Sequence, residues 1–264
     1  MNKIDETFIR LREKRETALI PYLMTGYPDI ETTAKLVLGF EKAGADIIEL
    51  GVPFSDPIAD GPIIQLASEE ALKNGVSLTT VLSLVSNLRQ HTNIPLVLMT
   101  YYNPIFVYGL EKFVCDARAA GVDGVIVPDL PPEEASPLEK VAHDAELSCI
   151  FLIAPTSPPE RMRLISQHST GFIYFVPVTG ITGMREKVTE GISEYIRQQR
   201  LITQKPIGVG FGISRPEHVA QISSIADAAI VGSAIISLIT KHLSEPDMVE
   251  KASQFVAELK KATY

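Results

Sequence analysis

The sequence predicts an α/β fold, a (β/α)8 TIM barrel with extra N- and C-terminal helices. Three observations carry this. Short apolar runs alternate with longer amphipathic segments from one end of the chain to the other. The apolar runs are continuous rather than alternating in polarity, as parallel strands covered on both faces require. A weak repeat also recurs: KAGADIIELG (42–51), AAGVDGVIVPD (119–129) and SIADAAIVGSA (224–234) each set a small residue and an aspartate before an apolar strand. Glycine at a helix C′ position accounts for part of that spacing.

The elements follow in order. An amphipathic helix over 3–15 is placed to cover the barrel bottom. A strand at 18–24 (ALIPYLM) leads to a helix at 30–43, and a strand at 45–50 (ADIIEL) leads to helices at 62–73 and 78–90. Strands at 95–100 (PLVLMT) and 124–128 (GVIVP) precede helices at 110–120 and 132–145. Strands at 149–153 (CIFLI) and 171–176 (GFIYFV) precede helices at 158–168 and 188–200. Strands at 206–210 (PIGVG) and 227–231 (DAAIV) precede helices at 215–222 and 233–242, and a last helix spans 246–262. An open doubly wound sheet is the alternative, but eight units in one uninterrupted series favour closure. No linker or low-complexity segment divides the chain, so residues 1–264 read as one domain.

Composition bounds the class. At 264 residues, 45% of them hydrophobic and 21% charged, the chain can bury a full core. A net charge of −8 argues against nucleic acid or an anionic membrane as partner. No apolar run reaches the ~18 residues of a membrane span, and the charged N-terminus lacks a signal-peptide core. A cytoplasmic location is therefore expected. Cys115 and Cys149 have no CxxC spacing and are expected to be buried free thiols.

In such a barrel, function sits on the loops that follow the strands. The stretch from Asp46 to Gln65, DIIELGVPFSDPIADGPIIQ, stands out. Glu49 ends a buried strand, a costly place for a charge unless it is paired or its proton affinity shifts. Asp60 lies in the Gly/Pro loop beyond it. Two acids in different settings suit divided labour in proton transfer. Asp60-Gly61-Pro62 also reads as a helix N-cap before an early proline, and that alternative stays open. Asp56, before a proline, reads as a turn residue.

GVGFGIS (208–214) and IVGSAIIS (230–237) are glycine-rich turns that open helices after the last two strands, where barrels hold phosphate on backbone N–H groups. Gly212, Gly232 and Ser233 are the candidate phosphate residues, with Gly183 of the loop 177–187 closing over the group. Simple tight turns are the plainer reading. Tyr22, Tyr101, Tyr102, Tyr174 and Phe211 lie near strand ends and suit either a ligand pocket or the core.

Absences narrow the chemistry. The five histidines fall in helices or at helix ends, and no pair has metal-ligand spacing. Lysines avoid the strand ends, which argues against a Schiff base; Lys187 is the nearest. No nucleophile elbow and no dinucleotide fingerprint is present. Carboxylate acid/base chemistry on a phosphorylated substrate remains.

LGVPFSDPIADGPIIQ resembles the signature of the tryptophan synthase alpha chain family. PYLMTGYPD, LMTYYNPIF, GVDGVIVPDLPPEE, TGITG, GVGFGIS and VGSAI follow in family order, so the resemblance runs the whole length. It implies a (β/α)8 barrel that cleaves indole-3-glycerol phosphate to indole and glyceraldehyde 3-phosphate. It also implies no cofactor on this chain, and a pyridoxal-phosphate beta chain as partner in an αββα heterotetramer that receives the indole. By the resemblance, Glu49 is the acid/base that protonates indole C3 and helps deprotonate the side-chain hydroxyl. Asp60 is the second acid, accepting a hydrogen bond from the indole N–H. Tyr174 matches the pocket tyrosine, and Thr182 the loop threonine that meets the second acid. Gly183, Gly212, Gly232 and Ser233 fall at the phosphate positions. Pro177 stands where the family commonly has Ser, and Ile58 where Leu or Met is commoner. Alternatives are another phosphate-binding barrel enzyme, a non-catalytic alpha-like activator, and a free-standing indole producer. Among the first, an indole-glycerol-phosphate synthase would need a strand-end lysine that this chain lacks.

Overall fold

The structure, a computed structural model, describes residues 2–177, 186–210 and 212–264. Helix α1 (Lys3–Lys14) leads into β1 (Ala18–Met24), α2 (Ile30–Lys42), β2 (Ile48–Gly51), α3 (Pro62–Lys73) and α4 (Leu78–Leu88). Next come β3 (Leu96–Met99), α5 (Tyr102–Tyr108), α6 (Leu110–Ala120), β4 (Gly124–Ile126) and α7 (Ser136–Asp144). The chain continues through β5 (Ser148–Ile150), β6 (Leu152–Ile153), α8 (Pro159–His168), β7 (Ile173–Phe175) and α9 (Glu186–Arg200). It ends with β8 (Ile207–Gly210), α10 (Pro216–Ser223), β9 (Ala228–Val231), α11 (Ser233–Lys241) and α12 (Met248–Lys261).

All strand pairs are parallel, in the order β5-β4-β3-β2-β1-β9-β8-β7-β6. The two ends of that order, β5 and β6, are separated only by Phe151. They are two halves of the predicted strand 149–153, one paired with β4 and the other with β7. The sheet therefore closes, as eight strands in a barrel must.

The barrel's lower interior is plugged by α1. Ile4, Phe8 and Leu11 pack with Ile20, Ile47, Val97, Ile126 and Phe172, the inward residues of the strands. The Asn2 side chain fixes the entry of this helix, accepting from the Ile4 N–H and donating to the Asp123 carbonyl. With the bottom filled, the open volume lies at the C-terminal ends of the strands. A second, larger core lies between the strands and the surrounding helices. Among the described residues no helix is long and apolar enough to cross a membrane.

The structure departs from expectation in three places. Helix α5 lies where the sequence suggests only a loop. Its cap comes from far along the chain, since Asp129 accepts the Tyr102 N–H at 2.8 Å, and Pro104 sits in the first turn, where a missing N–H costs nothing. Helix α7 starts at Ser136 rather than 132, because residues 131–135 form turns onto the carbonyls of Pro131 and Pro132. Cys149 is buried, but Cys115 is exposed on α6; both are free thiols.

Candidate active site

The β2 strand carries Glu49 into the barrel, level with Tyr22 of β1 and Val97 of β3. Glu49 is 1% exposed, and neither of its carboxylate oxygens has a hydrogen-bond partner among the described residues. Removal from water, followed by the nearby charge of Asp60, pushes its proton affinity up to about 8. The predicted acid at a strand end is thus present and, among the described residues, unpaired by any base.

Asp60 does not cap α3. Gly61 is the N-cap, with no side-chain hydrogen bond there, and Pro62 opens the helix. The Asp60 carboxylate instead accepts a 3.1 Å hydrogen bond from the Tyr101 phenol. Burial raises its proton affinity to about 6, and the Tyr101 hydrogen bond opposes that rise. The loop is held by further contacts: Ala59 N–H donates to the Tyr101 oxygen at 3.0 Å, and the Phe54 and Tyr101 rings lie 5.2 Å apart. Tyr101, expected in the pocket, is not among the residues lining the cavity; it anchors the loop that carries Asp60.

Glu49 and Asp60 open on one cavity of about 640 Å³ at the C-terminal ends of the strands. Its body is apolar, with Ile64, Met99, Ile126, Leu152 and Ile230 among the lining. Tyr22 and Tyr174 also line it, and burial together with the neighbouring carboxylates keeps both phenols protonated. Tyr102 instead packs partly buried against the outer core, facing Phe106.

The far end is built from the two glycine turns. Gly212 has a φ of +69°, a backbone that favours glycine. Gly232 is the N-cap of α11, which starts at Ser233 without a side-chain cap, and Gly232, Ser233 and Ala234 line the cavity. No Lys or Arg lines the cavity among the described residues. Any anion here would be held by backbone dipoles. Thr182, Gly183 and Phe211 lie outside the described residues.

Sequence reasoning missed three contributors. Ser237 lines the cavity one helical turn beyond Ser233, a spacing legible from the helix period. Gly51 and Gly210 leave room for the two tyrosines. A Cβ on Gly51 would fall on the Tyr22 phenol, and one on Gly210 on that of Tyr174. No local pattern marks these two, since the crowding side chains come from other strands. His218 also lines the cavity, but its Nδ1 accepts the Ser214 N–H and tightens the turn before α10.

A closed parallel barrel whose apolar cavity holds two unequal carboxylates at one end and a bare helix start at the other defines an enzyme. It is built for acid/base work on a small molecule with an apolar body and an anionic tail. A family profile described as tryptophan synthase alpha chain matches residues 8–264. The tryptophan synthase alpha chain of Geotalea daltonii is 48% identical over 260 residues, spanning 98% of each chain. That of Rippkaea orientalis is 48% identical over 263 residues, spanning 99% of this chain and 98% of the relative. The solved alpha chain of Legionella pneumophila superposes with a TM-score of 0.92 at 37% identity, covering 100% of this chain and 97% of its own. The chain belongs to the tryptophan synthase alpha chain family, carbon–carbon lyases of tryptophan biosynthesis.

Proposed function

We propose that the chain, acting as one domain, cleaves indole-3-glycerol phosphate to indole and glyceraldehyde 3-phosphate, with Glu49 and Asp60 in separate roles. The observation that carries this is the unequal proton affinity of two carboxylates facing one cavity, about 8 for Glu49 and about 6 for Asp60. Near pH 7 the first holds its proton and the second has lost it. Pairs of acids driven apart in this way divide acid and base duties.

Glu49 gives its proton to C3 of the indole ring, which turns the ring into an iminium-like electron sink. Asp60 accepts a hydrogen bond from the indole N–H and stabilises the positive charge. Glu49, now a carboxylate, takes the proton of the hydroxyl on the carbon attached to C3. The bond between that carbon and C3 breaks, and its electrons return to the ring. Indole and an aldehyde result, and Glu49 ends as it began. The chemistry calls on no cofactor of this chain. Tyr174 shapes the pocket around the ring and Tyr101 holds the Asp60 loop in place, with Phe211 and Thr182 expected beside the ring. The phosphate rests on Gly212, Gly232 and Ser233 at the open start of α11, with Gly183 closing from the loop.

The partner is a tryptophan synthase beta chain, carrying pyridoxal phosphate, in an αββα assembly. Ile58 in the Asp60 loop and Phe106 and Val107 on α5 are exposed apolar side chains on the segments that follow two adjacent strands, β2 and β3. Such a group beside the cavity mouth favours a partnered enzyme over a free-standing one. The reading places the protein in the cytoplasm, away from nucleic acid and membrane. Indole release from indole-3-glycerol phosphate, measured with and without a beta chain, tests it. Turnover by the wild-type chain, lost in Glu49→Gln while phosphate-ligand binding survives, is the expected result. Retained turnover in that variant would remove Glu49 from the acid/base role.

A further inference from the structure

Tyr22 runs along the cavity from its glycine end to its acid end. The base of its ring rests against Gly232, where a Cβ would lie 3.5 Å from Tyr22 Cβ and 3.6 Å from its Cδ1. Its hydroxyl end lies over Gly51, where a Cβ would come within 2.7 Å of Cζ. In the sheet its register partner is Glu49. One side chain therefore links the start of α11 to the acid on β2.

The hydroxyl of Tyr22 is out of keeping with its surroundings. The residue is 5% exposed and lines the cavity, and no hydrogen bond joins its phenol to another described residue. A phenol oxygen without a protein partner on a cavity wall keeps its hydrogen-bonding capacity, which phenylalanine in the same seat would lack. The seat is shaped for the oxygen, since only a glycine at 51 leaves space for it. A hydroxyl accommodated in this way, on a cavity wall and unused by the described residues, points to a ligand atom.

The substrate proposed above has three parts. Its ring belongs at Glu49 and Asp60 and its phosphate at Gly232. The chain between them carries two hydroxyls, and that chain is the part that lies alongside Tyr22. We infer that Tyr22 is a specificity-determining residue whose phenol donates a hydrogen bond to a hydroxyl of the substrate's glycerol chain. The site then reads the hydroxylated linker as well as the ring and the phosphate. The inference rests on the proposed function. Burial, with the charges of Asp60 and Glu49, holds the Tyr22 proton in place, so the group is a donor throughout the working range.

Tyr22→Phe removes the oxygen and leaves the ring on Gly232. Two probes separate the roles: indole-3-glycerol phosphate, and an indole bearing an unsubstituted propyl phosphate chain at C3. In the full chain with its beta partner, kcat/KM for the first is expected to fall about tenfold in the variant. Affinity for the second is expected to stay within about twofold of wild type, which also reports an intact fold. Equal weakening with both probes would make Tyr22 a packing residue, and no change with either would remove the hydrogen bond; each outcome overturns the inference. If the wild-type chain fails to cleave indole-3-glycerol phosphate, the proposed function itself fails and takes this inference with it. With wild-type turnover in hand, the variant speaks to Tyr22 alone.

Discussion

The Tyr101 phenol donates to the Asp60 carboxylate at 3.1 Å, and its oxygen accepts the Ala59 N–H at 3.0 Å, so one side chain fixes both the loop and the charge on its acid. A donor to a carboxylate favours the ionised form. Without it, Asp60 would hold its proton to a pH above the present value of about 6.

Tyr101→Phe should therefore move the acid limb of the kcat/KM profile to higher pH, by up to about one unit for a hydrogen bond of ordinary strength. The basic limb should stay in place. An acid limb that does not move would show that the phenol serves the loop and leaves the proton on Asp60 untouched.

Glu49 makes the fold less stable as its charge develops. Its folded-state value of about 8 lies above the ordinary glutamate value of 4.5, so the folded protein binds the proton more tightly than the unfolded chain. The favourable protonated state is fully present below about 4.5 and is lost as pH rises through about 8. Glu49→Gln is neutral throughout. Its stability relative to wild type should rise between pH 5 and pH 8 by on the order of a few kcal/mol. Urea unfolding at both ends of that range checks the trend, and a pH-independent difference would mean that Glu49 binds its proton no more tightly in the fold than in the unfolded chain.

The barrel was legible because its strands are long enough, and apolar enough, to declare themselves one by one. The two acids were legible for a related reason: a glutamate in IIELG and an aspartate in IADGP break an otherwise apolar or small-residue setting. What escaped depends on neighbours distant in sequence. Asp129 caps α5 from 27 residues away, and no propensity of YYNPIFVY reveals that. Asp60 looked able to cap α3 until Tyr101 supplied a different partner from β3's end. Gly51 and Gly210 look like ordinary strand-end glycines until Tyr22 and Tyr174 arrive from other strands.

Gly210→Ala should disturb the site through Tyr174. The added Cβ lands on the phenol, within 2.7 Å of Cε1 as well, and forces the ring toward the cavity. Overpacking of this kind costs about 1–3 kcal/mol, and turnover should fall with it. Adding Tyr174→Phe removes the closest atom, so the double variant should regain part of the lost stability. A melting temperature for Gly210→Ala equal to wild type would show that the ring has room to move aside.

The weak sequence repeat has a common structural cause, and it yields a ranking. Each repeated aspartate stands at the foot of its strand and accepts a backbone N–H from the neighbouring segment. Asp46 takes Leu19 N–H at 2.9 Å, Asp123 takes Leu96 N–H at 2.9 Å, and Asp227 takes Ile207 N–H at 2.7 Å. Each also meets a cation: Lys260 for Asp46, Arg89 for Asp123 and Arg200 for Asp227. The three differ in burial. The Arg89–Asp123 side chains are 13% and 4% exposed, whereas Arg200 and Asp227 are 28% and 30% exposed. Removing one member of a buried pair strands the other charge, at about 3–5 kcal/mol, while an accessible pair is worth about 1 kcal/mol or less. Asp123→Ala should therefore destabilise the barrel far more than Asp227→Ala in urea titrations. Both lie at the opposite end of the strands from the cavity, so turnover per folded molecule should be retained in each. Equal losses of stability would mean that the shared backbone hydrogen bond, rather than the buried cation, sets the strength of these staples.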